Sequence, residues 1–223
     1  MKVIVTGASR GIGLELARIA LRHGHELLAV ARQATTSPAL TQLHAEYGEH
    51  LRVADVDLRD PQAADAIGAA IKDWVALDVL LNNAGILRES QSREDFAESF
   101  LVNAVAPFEV TRALLPRLKL STNPRVVHTT SRMGSITDNT TGGHYTYRAS
   151  KAALNMINRS LSCDHAWLST IVVHPGWVQT QMGGTGAPVT PTESATGIWR
   201  LVQGLGRDSS GRFFDYQGKE LRW

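Results

Sequence analysis

The chain of 223 residues is nearly devoid of cysteine: Cys163 stands alone. No internal disulfide can form, and the helical pattern around Cys163 predicts a buried, inert thiol. Long apolar runs are missing too. Met1-Lys2-Val3-Ile4-Val5 leads straight into a short β-type segment, with no stretch long enough for a signal peptide or a membrane span, so a cytoplasmic location is the expectation. Nor does charge of one sign accumulate. The 23 Lys and Arg against 21 Asp and Glu are interspersed and leave a net +2, without the basic stripe that nucleic acid would imply as a partner. No ligand cluster implies a metal, and neither an internal repeat nor a low-complexity tail is present. What remains is ordinary for a globular chain. The 43% apolar content and the length suit one large α/β domain over residues 1–223 with a sizeable core.

The first motif lies near the start. Val3 to Val5 is a β-branched run, Thr6-Gly7-Ala8-Ser9-Arg10-Gly11-Ile12-Gly13 follows, and Leu14, Leu16, Ala17, Ala20 and Leu21 then recur with helical spacing. This reads as strand, glycine-rich turn and helix. Gly7, Gly11 and Gly13 remove side chains where the chain turns sharply and where a pyrophosphate would approach backbone N–H groups at the positive end of a helix.

A second strand, Glu26 to Ala31, ends in Arg32, where a dinucleotide fold meets the adenosine ribose. An acidic residue there would bond the 2′-hydroxyl of NAD. Arg32, with Arg10 inside the glycine turn, instead fits a 2′-phosphate, so NADP(H) is expected over NAD(H); the plainer reading makes both surface charges.

A helix around Pro38 to Tyr47 precedes a third strand, Leu51 to Val56, and Asp60 is placed to cap a helix opened by Pro61. Asp57, followed by Leu58, lies at the strand's carboxyl end, where it would read an adenine amino group or simply close a turn. The fourth strand, Leu77 to Leu81, runs into Asn82-Asn83-Ala84-Gly85, a turn sequence whose glycine also admits a ribose. Arg93 to Leu118 reads as one long helical stretch broken near Pro107, with Asn103 just before the break, where a freed carbonyl would hold a water. A fifth strand, Arg125 to Thr130, ends in Ser131-Arg132-Met133-Gly134-Ser135, and a polar loop, Thr137 to Gly143, leads to the next helix. A sixth strand, Thr170 to His174, ends in Pro175-Gly176-Trp177-Val178-Gln179-Thr180. Beyond it, Met182 to Pro191 has the composition of a mobile lid, followed by a helix near Glu193 to Leu205 and a strand from Arg212 to Asp215.

Strands alternating with helices predict a single-domain, Rossmann-type, doubly wound parallel α/β sheet of about seven strands with helices on both faces, the candidate residues lying at its carboxyl edge. There Tyr147-Arg148-Ala149-Ser150-Lys151 takes on weight. Tyr147 and Lys151 project from one helix face, and an ammonium beside a phenol lowers the phenol's pKa toward the range where it trades protons with an alcohol or carbonyl. On its own the spacing more often marks a half-buried ring and a solvated amine.

The motifs together resemble the short-chain dehydrogenase/reductase family over essentially the whole length. Thr6-Gly7 to Gly13, Asn82-Asn83-Ala84-Gly85, Asn103, a serine, Tyr147 with Lys151, and Pro175-Gly176 stand in that family's order. Ser131 to Ile136, Tyr147 to Asn155 and Gly211 to Tyr216 are similar to the C-factor and sniffer-like carbonyl reductase branch. The resemblance implies Tyr147 as catalytic acid or base, with Lys151 lowering its pKa and holding the nicotinamide ribose. It implies Asn103 as holder of a relay water. The serine that polarises the substrate carbonyl would be Ser131, because the family's serine precedes xxGx; Ser135 is the alternative, since the interval to Tyr147 is longer than in many relatives. Ser9, Ile12, Asn83, Ala84 and Gly85 would complete the cofactor contacts, with Pro175, Gly176, Val178 and Thr180 along the nicotinamide.

The expected partner is a small carbonyl or alcohol substrate, and a homo-oligomer, dimer or tetramer, is a further expectation. Leu87, Met133, His144, Trp177 and Met182 are candidate pocket walls. The rival reading is a regulatory or signalling protein that keeps the dinucleotide pocket with little turnover. A sugar-nucleotide epimerase is disfavoured by the glycine spacing and the short C-terminal half.

Cofactor choice gives the first prediction. Each charge-assisted contact to phosphate contributes ~1.5–3 kcal/mol, so Arg32→Asp should shift the kcat/KM preference from NADPH toward NADH by at least about tenfold. A wild-type enzyme that already prefers NADH would overturn the reading of the second strand's end.

Overall fold

A computed structural model describes residues 1–223. Short runs of β-branched and aliphatic residues form β1 (Lys2–Thr6), β2 (Glu26–Ala31), β3 (Leu51–Asp55), β4 (Val79–Asn82), β5 (Arg125–Thr129), β6 (Ser169–His174) and β7 (Phe213–Asp215). They make one sheet in the order β3-β2-β1-β4-β5-β6-β7, and every neighbouring pair is parallel. The order reverses between β1 and β4. This is the Rossmann-type architecture expected, and its ligand crevice belongs at that reversal, outside the strands' carboxyl ends.

Parallel strands are buried on both faces, so they read as continuous apolar runs whose alternate residues serve two cores. Val3, Val5, Leu27, Ala29, Val79 and Leu81 pack against α1 (Gly11–Arg22), α2 (Pro38–Tyr47) and α7 (Pro191–Gly204). Ile4, Leu28, Leu80 and Val126 pack against α3 (Ala63–Ala70) and α5 (Ala106–Leu118). Helix α4 (Arg93–Phe100) packs against α6 (Tyr145–Asp164), which also touches α5. Caps set several starts: Ser37 accepts from the Leu40 N–H, Ser92 from Asp95 and Thr190 from Glu193.

Two expectations are corrected and a third is made specific. The Asp60 carboxylate accepts from the Gln62 N–H at 2.8 Å, closing a turn rather than capping a helix, so α3 starts only at Ala63 after Gln62. Cys163 is exposed; the buried stripe of α6 runs through Tyr147, Lys151, Leu154, Asn158 and Leu161, and Cys163 falls on the opposite side in the last turn. The expected break before Pro107 is a π-helical turn, Leu101–Val105, in which the Ala106 N–H reaches back to the Leu101 carbonyl.

β7 is the outer strand at one end of the sheet. After it the chain turns back on itself: Asp215 donates its N–H to the Lys219 carbonyl at 2.9 Å, and Leu221 donates to Phe213 at 2.7 Å.

The helical glycines separate packing from propensity. A Cβ on Gly197 of α7 would lie 2.1 Å from the Tyr216 carbonyl oxygen, whereas one on Gly68 of α3 would meet nothing within 4 Å. Gly68→Ala should therefore stabilise by about 0.5–1 kcal/mol, while Gly197→Ala should destabilise by about 1–3 kcal/mol as α7 is pushed off the 216 turn. Urea unfolding of the two variants should give opposite signs; the same sign would show that α7 moves freely.

Candidate active site

The site begins where the ends of β1 and β4 meet. Thr6 Oγ1 accepts from the Asn83 and Ala84 N–H groups, each at 3.1 Å, and Asn83 Nδ2 donates to the Thr6 carbonyl at 3.1 Å. Two glycines make the approach feasible. A Cβ on Gly13 would lie 2.2 Å from the Gly7 carbonyl oxygen and 2.6 Å from Asn83 Nδ2, and one on Gly7 would lie 2.9 Å from Ala84 Cα.

Helix α1 opens at this point without a side-chain cap and without an acidic residue in its first turn. Its first N–H groups thus face the crevice as an anion site. Arg10 and Arg32 border the same cleft, of about 920 Å³, and both are exposed. Asp57 borders it as well, but its carboxylate is held by Arg59, whose guanidinium lowers its pKa. Every cofactor residue expected from the sequence lines the cleft except Gly176 and Val178. Gly176 is turned toward Tyr216 and Val189, and Val178 is buried in a bridge to Val189; both stand behind the wall that Pro175 and Thr180 present.

On the other side of the cleft α6 brings Tyr147 and Lys151 together, 8% and 3% exposed. Lys151 Nζ lies 5.8 Å from the centre of the Tyr147 ring and donates to the Thr129 carbonyl at 2.9 Å. Burial pushes Lys151 down to about 8. It pushes Tyr147 up to about 12, against the lowering effect of the Ser131 hydroxyl. The lowered phenol pKa expected from the ammonium is thus reversed in this state: both groups sit in a dry environment that penalises their charged forms.

Ser131 stands at the end of β5, where its Oγ accepts from the Met133 N–H at 3.1 Å. Ser135 Oγ accepts from Asp138 N–H at 3.1 Å, beyond Gly134. A Cβ on Gly134 would lie 2.9 Å from Lys151 Cβ, so the turn between the two serines is pressed against α6. Asn103 is fully buried. Its side chain accepts from Ile86 N–H at 2.8 Å, and donates to the Ile86 carbonyl at 2.9 Å and to Ser150 Oγ at 3.0 Å. Its Oδ1 and Lys151 Nζ flank Gly85, where an added Cβ would lie 3.2 and 3.3 Å from them.

The segment after β6, whose composition is that of a lid, carries its own hydrogen bonds. Gln179 N–H donates to Val189, Val189 N–H to Trp177 and Gly184 N–H to Thr180. The Trp177 indole N–H donates to the Gly183 carbonyl at 2.7 Å, so this connection is bonded to itself. Among the five pocket walls expected, Met182 alone borders the cleft. Composition cannot anticipate such internal bonding. Also missed were Thr129, whose carbonyl holds Lys151, Ser150, which holds Asn103, and the Arg59–Glu98–Arg88 ion pairs at the cleft wall. Thr129 was within reach of the sequence, as the strand residue two before Ser131; the ion pairs left no local signal.

Comparison with known proteins agrees with this geometry. The family model for short chain dehydrogenases matches residues 1–188. C-signal of Myxococcus xanthus is 48% identical over 154 residues, 66% of this chain and 93% of that protein. The carbonyl reductase Sniffer of D. melanogaster superposes with a TM-score of 0.94 at 31% identity, covering 100% of this chain and 99% of that one. The NADPH-bound carbonyl reductase from chicken fatty liver does so with a TM-score of 0.90 at 31% identity, covering 100% and 98%. With its glycine turn, its buried Tyr147–Lys151 pair and its seven parallel strands all in place, the chain belongs to the short-chain dehydrogenase/reductase family of oxidoreductases, in the branch of C-signal and Sniffer.

Proposed function

We propose that the protein uses NADPH to reduce an aldehyde or ketone, or runs the reverse oxidation, with residues 1–223 as one cofactor-binding and catalytic unit. One observation carries this reading: Tyr147 and Lys151 are buried together on the wall of the cleft onto which the uncapped end of α1 opens. The donor set fits a dinucleotide phosphate, because backbone N–H groups and two exposed arginines border the cleft. NADPH-bound carbonyl reductase from chicken, nearly identical in fold, supports the same choice.

When bound, the nicotinamide supplies hydride. The protein's part is to hold the carbonyl and deliver the proton. Tyr147, kept protonated by burial, is the donor to the carbonyl oxygen in reduction and the acceptor in oxidation. Ser131 orients that oxygen from the rigid end of β5. Lys151 holds the ribose and, while charged, favours proton release by the phenol. Asn103 braces the Ile86 backbone and Ser150 beside this pair. The regulatory alternative is disfavoured, since a relative that abandons catalysis has no use for a desolvated phenol and ammonium at this cleft.

Tyr147→Phe removes the transferable proton and keeps the ring, so turnover should vanish while NADPH binding, measured by fluorescence titration, stays nearly intact; near-normal kcat would favour the regulatory class. Ser131→Ala should lose ~2.7–4 kcal/mol of transition-state stabilisation, roughly a hundred- to a thousandfold, mainly in kcat. Ser135→Ala should alter KM modestly, and a reversed pattern would make Ser135 the catalytic hydroxyl. Lys151 in the free enzyme is pushed down to about 8, so it is an ammonium below that pH and neutral above it. The kcat/KM for NADPH should therefore fall as pH rises through this value, and a profile flat from pH ~7 to ~9.5 would refute the role given to the ammonium.

A further inference from the structure

The interval between Ser131 and Tyr147 contains an excursion whose closure has an unusual backbone. Gly142, Gly143 and His144 lie in succession at φ of 66°, 68° and 47°, and His144 is the one non-glycine residue of the chain with positive φ. Packing does not demand this, because a Cβ on Gly142 or Gly143 would meet nothing within 4 Å. The two glycines adopt this region freely, but the left-handed His144 carries a backbone cost that surrounding contacts must offset.

Those contacts converge on one side chain. Arg148, next to Tyr147 on the first turn of α6, donates from Nε to the Gly142 and Gly143 carbonyls, each at 3.1 Å. Its Nη2 donates to Thr141 Oγ1 at 3.1 Å and its Nη1 to the Met133 carbonyl at 3.5 Å. The Arg148 N–H also donates to the His144 carbonyl at 2.9 Å. Met133 in turn gives its N–H to Ser131 Oγ. A planar guanidinium with five donors can serve these acceptors together, whereas an ammonium is a point donor.

We propose that Arg148 is a positioning residue: its guanidinium clamps the left-handed 142–144 turn and the turn after Ser131 to the helix of Tyr147, fixing the serine hydroxyl relative to the phenol. The inference rests on the reading of Ser131 and Tyr147 as the reacting pair. The cost of a slack clamp falls on the geometry of proton delivery rather than on the cofactor, since no Arg148 contact reaches the glycine turn.

The test is carbonyl reduction by Arg148→Ala and Arg148→Lys with saturating NADPH. Both should lose at least tenfold in kcat, while the Kd for NADPH stays within twofold of wild type. Added guanidinium ion at millimolar concentration should restore Arg148→Ala at least threefold and should leave wild type and Tyr147→Phe unimproved. A kcat within twofold of wild type, full activity in Arg148→Lys, or an activity loss that follows the unfolded fraction and is not rescued would each overturn the proposal. If Arg148→Ala does not fold, Gly143→Ala decides the matter. Its Cβ enters open space, so only the left-handed backbone is penalised, and it should show the same fall in kcat; wild-type kcat in the folded variant would overturn the clamp. Turnover by Tyr147→Phe would sink the acid–base reading instead, whereas a dead Tyr147→Phe beside a normal Arg148→Ala would sink the clamp alone.

Discussion

The distance between the ends of β1 and β4 governs the carboxyl edge of the sheet. Thr6 and Asn83 tie these ends together with reciprocal hydrogen bonds, and Gly7 and Gly13 let α1 settle where any side chain would strike the backbone. Because α1 starts at this junction, the orientation of its free N–H groups follows from that approach. Gly85, two residues beyond Asn83, carries the same closeness into the catalytic half, where Asn103 and Lys151 would crowd a Cβ. The two halves of the cleft are thus set by one packing constraint.

Desolvation then decides the electrostatics. A nearby ammonium favours the phenolate, but burial raises Tyr147 and lowers Lys151. The resting protein holds a neutral phenol beside Lys151, whose Nζ donates to the Thr129 carbonyl. Several polar groups behind it pair internally: Thr130 donates to Asn155, Asn155 to Gly134 and Asn82 to Pro107 and Thr111. Such networks in a low-dielectric interior fix side chains that an apolar core would leave free to adjust.

Much of the fold was legible because its signals are local. β2 and α2 fall on the expected boundaries, where a run of aliphatic residues meets Arg32 in one case and Ser37-Pro38 announces a helix in the other. The site residues were legible because a parallel sheet collects strand ends on one edge, so residues far apart in the chain share a cleft. What escaped depends on three-dimensional surroundings. Cys163 sits among helix formers, yet its exposure is set by which stripe of α6 meets the sheet. Gly176 and Val178 share a motif with Pro175 and Thr180, but the backbone turns them away from the cleft. The lid-like composition of residues 182–191 gave no sign that Gly184 and Val189 would bond back to Thr180 and Trp177. The direction of the Tyr147 shift required knowing that the phenol is dry.

The reversal of the chain after β7 bears on how molecules of this protein meet one another. An outer strand with unpaired N–H and C=O groups is a template for another chain. Here the Phe213 carbonyl and the Asp215 N–H are already engaged by Leu221 and Lys219, and Arg212 and Glu220 form an ion pair across the same turn. That end of the sheet is closed by its own tail. At the other end β3 is five residues long and carries Arg52 and Asp55, with Arg52 paired to Asp73. The tail thus leaves no bare backbone ladder beyond β7, whereas β3 at the other end has β2 as its single strand neighbour.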